Sequence, residues 1–130
     1  MNLSIKLDQF NIKSVIFMET NNNKVIKGLF SNVIYTDSDV IFSGIYIQLP
    51  NLCDANRNVV TQQMTQLENK VMEHYKSFFS VDKEPFYTHK FHFPVDNSQS
   101  FILKISGLWE SDTHYGVNHK IIQFYPQYKR

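Results

Sequence analysis

The stretch NVVTQQMTQLENKVMEHYKSFF, residues 58–79, is the one long segment of the chain with a helical period. Its apolar side chains recur at spacings of three and four residues, which places them on one face of an α-helix: Val60, Met64, Leu67, Val71, Tyr75 and Phe78. Asn56 or Asn58 can cap the start of this segment, and the chain breaks by Pro85. The sequence therefore predicts one long helix over about 58–79, midway along the chain.

The residues before this helix, from about 2 to 49, read as strands. Apolar and polar residues alternate there, and β-branched runs flank the polar turn TDSD at 36–39, which predicts a β-hairpin. Gly28 and Gly44 interrupt strand-like runs, so we expect a bulge or a sharp bend at each.

The residues after the helix, from about 86 to 125, again read as strands. The candidates are FYTHKFHFPV at 86–95, SFILKISGLW at 100–109 and VNHKIIQFYP at 117–126. Strands, one central helix and further strands predict a mainly β fold with one long helix, in the form of a small OB-like Greek-key barrel. The alternative is an α+β sheet packed on that helix.

Composition limits the classes of protein that the chain can belong to. Its length of 130 residues and its hydrophobic fraction of 42% predict a single globular domain over 1–130. The net charge of +1 provides no global attraction to nucleic acid, so anion binding would need a local patch. A lone cysteine, Cys53, and the absence of a long apolar run predict an intracellular protein without a membrane span.

Residue usage gives a hint about the source of the gene. Asn, Lys, Ile, Phe and Tyr make 53 of the 130 positions, whereas Ala, Gly, Arg and Pro make 11. This bias towards AT-rich codons suits many large DNA viruses, although it also suits many other sources. For a viral protein the expected location is the host cytoplasm or nucleus.

Catalysis and metal binding have little support in the sequence. No nucleophile is grouped with a base, and no glycine-rich loop is present to hold a phosphate, so we expect neither an enzyme nor a cofactor. His89 and His92 are three residues apart in a predicted strand, where such positions point to opposite faces. With His114 and His119 they form no convincing metal site.

Binding of single-stranded nucleic acid has more physical support. Such strands are held by aromatic rings that stack on bases, beside lysines that neutralise phosphates. In the last strand Lys120, Ile122 and Phe124 share a face, which favours a partly exposed surface, whereas Phe91 and Phe93 are expected in the core. Trp109 is either a core anchor or a base-stacking platform. The predicted nucleic-acid-binding residues are Tyr46, Lys90, Lys104, Trp109, Tyr115, Lys120 and Phe124.

Three segments resemble a known family. YGVNHKIIQF at 115–124 resembles the last-strand pattern of the podophage-type single-stranded DNA-binding proteins and their relatives in nucleocytoplasmic large DNA viruses. SFILKISGLW at 100–109 is similar to the strand that precedes it, and VIYTDSDVIFSGIYIQLP at 33–50 to their early hairpin. The resemblance implies an OB barrel that binds single-stranded DNA in viral DNA replication with little sequence preference.

Two features depart from that family's pattern. His119 stands where the family has an aromatic ring, and the chain ends in the basic segment YPQYKR at 125–130, where the family carries an acidic tail that recruits replication partners. Either the DNA-binding barrel is kept while the function of the tail is lost, or the barrel no longer binds DNA. The alternative is a non-catalytic viral structural or interaction module that forms oligomers, or docks on another viral protein, through the same mixed face.

Overall fold

The computed structural model of the chain describes residues 4–18, 21–22, 28–37, 40–93 and 101–123. Two short 3-10 helices, Leu7–Gln9 and Ile12–Ser14, lie between the first two strands. In chain order the other elements are β1 (Ile5–Lys6), β2 (Val15–Phe17), β3 (Asn21–Asn22), β4 (Leu29–Asp37), β5 (Val40–Ser43), β6 (Ile45–Gln48), α1 (Arg57–Phe79), β7 (Glu84–Phe86), β8 (Phe101–Glu110) and β9 (His114–Gln123).

Strand β8 lies at the centre of the sheet. One of its edges pairs with antiparallel β9 from end to end, and the other pairs first with β6 and then with β4. The change of partner coincides with a bulge between Ile105 and Gly107, which leaves Ser106 as an extra residue in β8. β1 and β7 extend the sheet in parallel beyond β6 and β9, while β2, β3 and β5 pair with β4.

Gly44 divides one run of strand residues into two strands that pair with different neighbours. It separates β5, which pairs with β4, from β6, which pairs with β8, and its φ of 107° lies where L side chains are strained. A Cβ atom at this position would also lie 3.2 Å from the Ile105 carbonyl oxygen. The predicted bend at Gly44 and the hairpin of β4 and β5 are both confirmed.

The helix packs its apolar face on one side of this sheet. Five of the six residues predicted for that face are buried: Val60, Met64, Leu67, Val71 and Tyr75. The sixth, Phe78, is 58% exposed, although its ring contacts that of Phe17. Asn56 is the residue that precedes the helix, but its side chain accepts from the Cys53 N–H and donates to the Asn51 carbonyl, so it leaves the first turn uncapped.

The predicted class, mainly β with one long helix, is confirmed. Among the described residues the sheet curls as in a small barrel without closing into one, and the single helix covers one of its sides. No helix in the described ranges is long and apolar enough to cross a membrane.

The strand predicted over 86–95 is wrong for most of its length. Only Phe86 belongs to β7, and residues 87–93 form no strand. Thr88 instead donates its backbone N–H and its hydroxyl to the buried Glu68 of the helix, at 3.1 and 2.5 Å. Phe91 is buried beside the His119 ring. These contacts hold the segment against the helix, and they engage the Thr88 N–H that a strand would offer to a sheet partner.

His119 makes the stability of this packing depend on pH. Its ring lies 5.1 Å from that of Phe91, on the helix side of β9, and burial lowers the pKa of His119, partly offset by the charge of Glu68. The unfolded chain, with an ordinary histidine pKa near 6.5, then binds more protons than the folded chain as the pH falls. The free energy of unfolding should decrease from about pH 6.5 downwards and level off below the folded-state pKa.

Urea titrations between pH 8 and pH 5 measure this effect. The variant H119Q should show a flatter dependence of unfolding free energy on pH than the wild type. Equal slopes for the wild type and H119Q would contradict the assignment.

Candidate functional site

The side of the sheet that faces away from the helix is the candidate site, and we call it the outer face. Along β6, β8 and β9 alternate residues point towards the helix and are buried, among them Ile45, Ile105 and Ile121. Their neighbours point outwards and form cross-strand rows. The outer face carries Phe30, Asn32, Tyr46, Gln48, Ile102, Lys104, Ser106, Trp109, Gly116, Asn118, Lys120 and Ile122.

A row of one tyrosine and two lysines crosses the three central strands. Lys104 of β8 lies directly between Tyr46 of β6 and Lys120 of β9. The Lys104 Nζ is 5.5 Å from the centroid of the Tyr46 ring, which is a cation–π contact. Two like charges directly opposite each other destabilise a sheet. Within the described residues no carboxylate lies within ion-pair distance of either lysine.

An aromatic cluster occupies the other end of the outer face. The Trp109 ring lies over Gly116, where a Cβ atom would come within 2.7 Å of it, so only glycine allows this close approach. The Phe86 ring lies 5.8 Å from that of Trp109 and is 51% exposed. Phe30, the cross-strand partner of Trp109, covers Gly107 in a similar way. The two glycines thus leave room for large rings to pack closely against the sheet.

The spacing between the lysine row and the aromatic cluster suits an extended polymer. Lys104 and Trp109 are separated by four regular strand steps and the bulged Ser106, which is roughly 13 Å at about 3.3 Å per step. The surface between them carries the polar side chains of Asn32, Ser106 and Asn118. The outer face therefore offers cations at one end, stackable rings at the other and hydrogen-bonding groups in between.

Four of the seven predicted binding residues lie together on the outer face: Tyr46, Lys104, Trp109 and Lys120. Of the two interpretations of Trp109, its half-buried position on this face excludes the core anchor. Lys120 and Ile122 share the face as predicted, whereas Phe124 lies outside the described residues. Lys90 is exposed in the segment after β7 and belongs to no strand of the outer face.

Tyr115 requires a correction, because it lies on the helix side of β9. Only 2% of it is exposed, and its ring stacks on that of Tyr75 at 6.1 Å. Burial, with smaller effects from Tyr87 and Glu73, raises the pKa of the Tyr115 phenol, which therefore stays neutral at physiological pH. Tyr115 is a core residue and cannot stack on a ligand at the outer face.

Phe30 and Phe86 were missed as site residues. Phe30 is separated from Trp109 by 79 positions, and the two meet only through the register of β4 on β8. Phe86 reaches Trp109 because β7 pairs with β9 in parallel, with Phe86 opposite Gly116. The available signal was the presence of glycines inside apolar strands, which often marks a site covered by a large ring.

Two of the candidate histidines lie beside the aromatic cluster, and a third lies on the helix side of the sheet. His89 and His114 both contact the Phe86 ring, whereas His119 faces the helix. In the part of the chain that the structure describes, no three His, Cys, Asp or Glu residues converge as metal ligands.

In comparisons with known proteins, no family model matches the chain, and no curated protein or solved structure gives a significant match. The family resemblance thus stays a prediction, and the outer face is the feature that bears on function.

Proposed function

We propose that the outer face binds single-stranded DNA without strong sequence preference. The observation that carries this proposal is the pair of directly opposed lysines, Lys104 and Lys120, on the same face as the half-buried ring of Trp109 and the exposed ring of Phe86. Two adjacent cations without a carboxylate partner in the described residues lower the stability of the sheet, and a phosphate between them would relieve their repulsion.

The aromatic cluster complements this cation pair. Base stacking on a protein ring contributes about 1 to 3 kcal/mol per base and tolerates any base, because every base has a π face. Lysine neutralises phosphates as a point charge and reads no base edge. The combination favours an extended, unpaired strand over a duplex, whose bases are stacked on each other and cannot reach the rings.

Trp109 allows a direct test, because it is the only tryptophan of the chain. Titration with oligothymidylate at low salt should quench its fluorescence, and the affinity should fall steeply as the salt concentration rises. In a gel-shift assay, W109A should bind about 5- to 150-fold more weakly, which corresponds to the loss of about 1 to 3 kcal/mol of stacking. W109F keeps a ring and should lose less.

Two further ligands, duplex DNA and single-stranded RNA, test whether binding is specific for single-stranded DNA. Duplex DNA of the same length should bind more weakly than the single strand, and single-stranded RNA tests whether the sugar matters. If the protein shows neither quenching nor a salt-sensitive gel shift with any single strand, the proposal is wrong.

A second candidate function is self-association or docking on another protein. It is favoured by apolar side chains that point outwards from β2 and β5, namely Ile16 at 48% exposure and Ile41 at 74%. This function predicts a stable oligomer in light scattering without any affinity for nucleic acid. A monomer at high concentration would contradict self-association.

A further inference from the structure

An open cleft lies beside the outer face, between the edge strand β1 and the helix. Its volume is about 720 Å³. Its polar lining comes from β1, the end of β6 and one stripe of α1, and includes Lys6, Gln48, Gln63, Gln66 and Lys70. We call this the edge cleft.

Gln48 belongs to both the outer face and the lining of the edge cleft. This residue is opposite Ile102 in the row next to Tyr46, Lys104 and Lys120 on the outer face, and it also lines the cleft. Its neighbour across the sheet edge is Lys6 of β1. Two strand spacings and a two-residue step along the strand separate Lys104 from Lys6, which is roughly 12 Å.

The chemistry of the edge cleft matches that of the outer face. The helix contributes Gln63, Gln66 and Lys70, which are spaced so that they share one stripe of its surface. Amide side chains both donate and accept hydrogen bonds, as base edges require. Lys6 and Lys70 supply two exposed cations, while Asp8 is the only carboxylate among the described residues of the lining.

The floor of the edge cleft is partly aromatic and fixed in position. Phe10 lines it, and its ring stacks on the buried ring of Tyr35 at 5.7 Å. The Tyr35 hydroxyl in turn accepts a hydrogen bond from the Asn11 N–H at 2.9 Å. A ring held in place in this way loses little freedom when a base packs on it.

We propose that the edge cleft holds the nucleotides that follow those on the outer face, so that one strand runs from the aromatic cluster over the lysine row and around the edge strand β1 beside Gln48. This inference rests on the proposed function, since it extends the same binding site. It assigns Lys6 and Lys70 to phosphates and the amides of Gln63 and Gln66 to bases.

The test compares oligothymidylates of two lengths on the full chain. The shorter, of about 4 nucleotides, is sufficient for the outer face, and the longer, of about 12, can also enter the cleft. K6Q/K70Q should bind the short strand as the wild type does. Its affinity for the long strand should fall by up to about 25-fold at 0.1 M salt, and the slope of log K against log salt should become shallower by up to about 1.4.

Two controls make this result specific. K13Q/K76Q removes the same charge from exposed lysines that do not line the cleft, and it should leave both affinities unchanged. Q63A/Q66A removes the amides without any change of charge, so it should weaken binding of the long strand without altering its salt slope.

The outcomes separate this inference from the proposed function. If the wild type binds neither strand, both are wrong. If the wild type binds both strands and K6Q/K70Q is unchanged for both, the edge cleft is not part of the site. If K6Q/K70Q loses affinity for thymidine monophosphate but binds the long strand as the wild type does, the cleft binds a free nucleotide. That result would overturn its role in binding the strand.

Discussion

The variant K104E/K120E is expected to bind single-stranded DNA at least about 100-fold more weakly than the wild type at 0.1 M salt. Each phosphate contact on a single strand contributes a slope of about 0.7 in log K against log salt, so the loss of two contacts corresponds to about 25-fold at this salt concentration. Two carboxylates at the same positions would also repel the phosphates, which increases the loss.

The single variant K104E separates binding from stability. It places a carboxylate directly opposite Lys120, so the repulsion in the row becomes an attraction, and the free energy of unfolding should rise by up to about 1 kcal/mol. Its affinity for DNA should fall nevertheless. A variant that is merely misfolded would be less stable and would also bind DNA more weakly. Higher stability in urea unfolding together with weaker binding in DNA titration therefore distinguishes the loss of a DNA contact from the loss of the fold.

A charge-matched variant completes this comparison. K13Q/K76Q changes the net charge as K104Q/K120Q does, but at exposed lysines outside the outer face. If both pairs weaken binding equally, the effect comes from the charge of the whole protein and the outer face is not the site. A shallower salt slope for K104Q/K120Q alone would support the site.

Local patterns in the sequence were sufficient for the helix and for most of strands β8 and β9. The spacing of Val60, Met64 and Val71 predicted their burial because a helix has only one face to pack. The strand predicted over 86–95 failed for the opposite reason. Its alternating pattern was real, but the hydrogen bonds of Thr88 go to the buried Glu68, a partner 20 residues away that no local pattern indicates.

Strand alternation explains both the correct and the incorrect parts of the predicted site. Tyr115 and Lys120 are five residues apart in β9, so regular alternation alone places them on opposite faces, as the structure does. Lys104 and Trp109 are also five apart, yet they share the outer face because the bulge at Ser106 shifts the alternation by one residue. The one local signal for this bulge is Gly107 beside it, since a glycine inside a strand often marks a bulge.

The second large effect is expected at the aromatic end of β8, from loss of the buried Glu110 carboxylate. Glu110 is 9% exposed and follows Trp109 on the opposite face. The Tyr75 hydroxyl donates to its Oε2, and the Lys83 Nζ lies 3.1 Å from its Oε1. Ser31 Oγ lies 3.3 Å from the same hydroxyl. These contacts join the helix, the segment after it and the central strand through one carboxylate.

We expect E110A to lower the free energy of unfolding by about 2 to 3 kcal/mol. The substitution removes a charged acceptor from the buried Tyr75 hydroxyl and the ion-pair partner of Lys83. Full loss of a buried ion pair would cost about 3 to 5 kcal/mol, but the Lys83 side chain is 26% exposed and regains some hydration. E110Q keeps the size and an acceptor for the hydroxyl, so it should cost less.

Urea denaturation of E110A, Y75F and the double variant measures this network. The cycle should give a coupling energy of about 1 kcal/mol or more between the two side chains, because one hydrogen bond links them directly. E84A serves as the control, since Glu84 is an exposed residue of the edge strand β7 and its removal should change stability by less than about 0.5 kcal/mol. Equal losses for E110A and E84A would show that the carboxylate does not stabilise the fold, and that the helix is held to β8 by apolar packing alone.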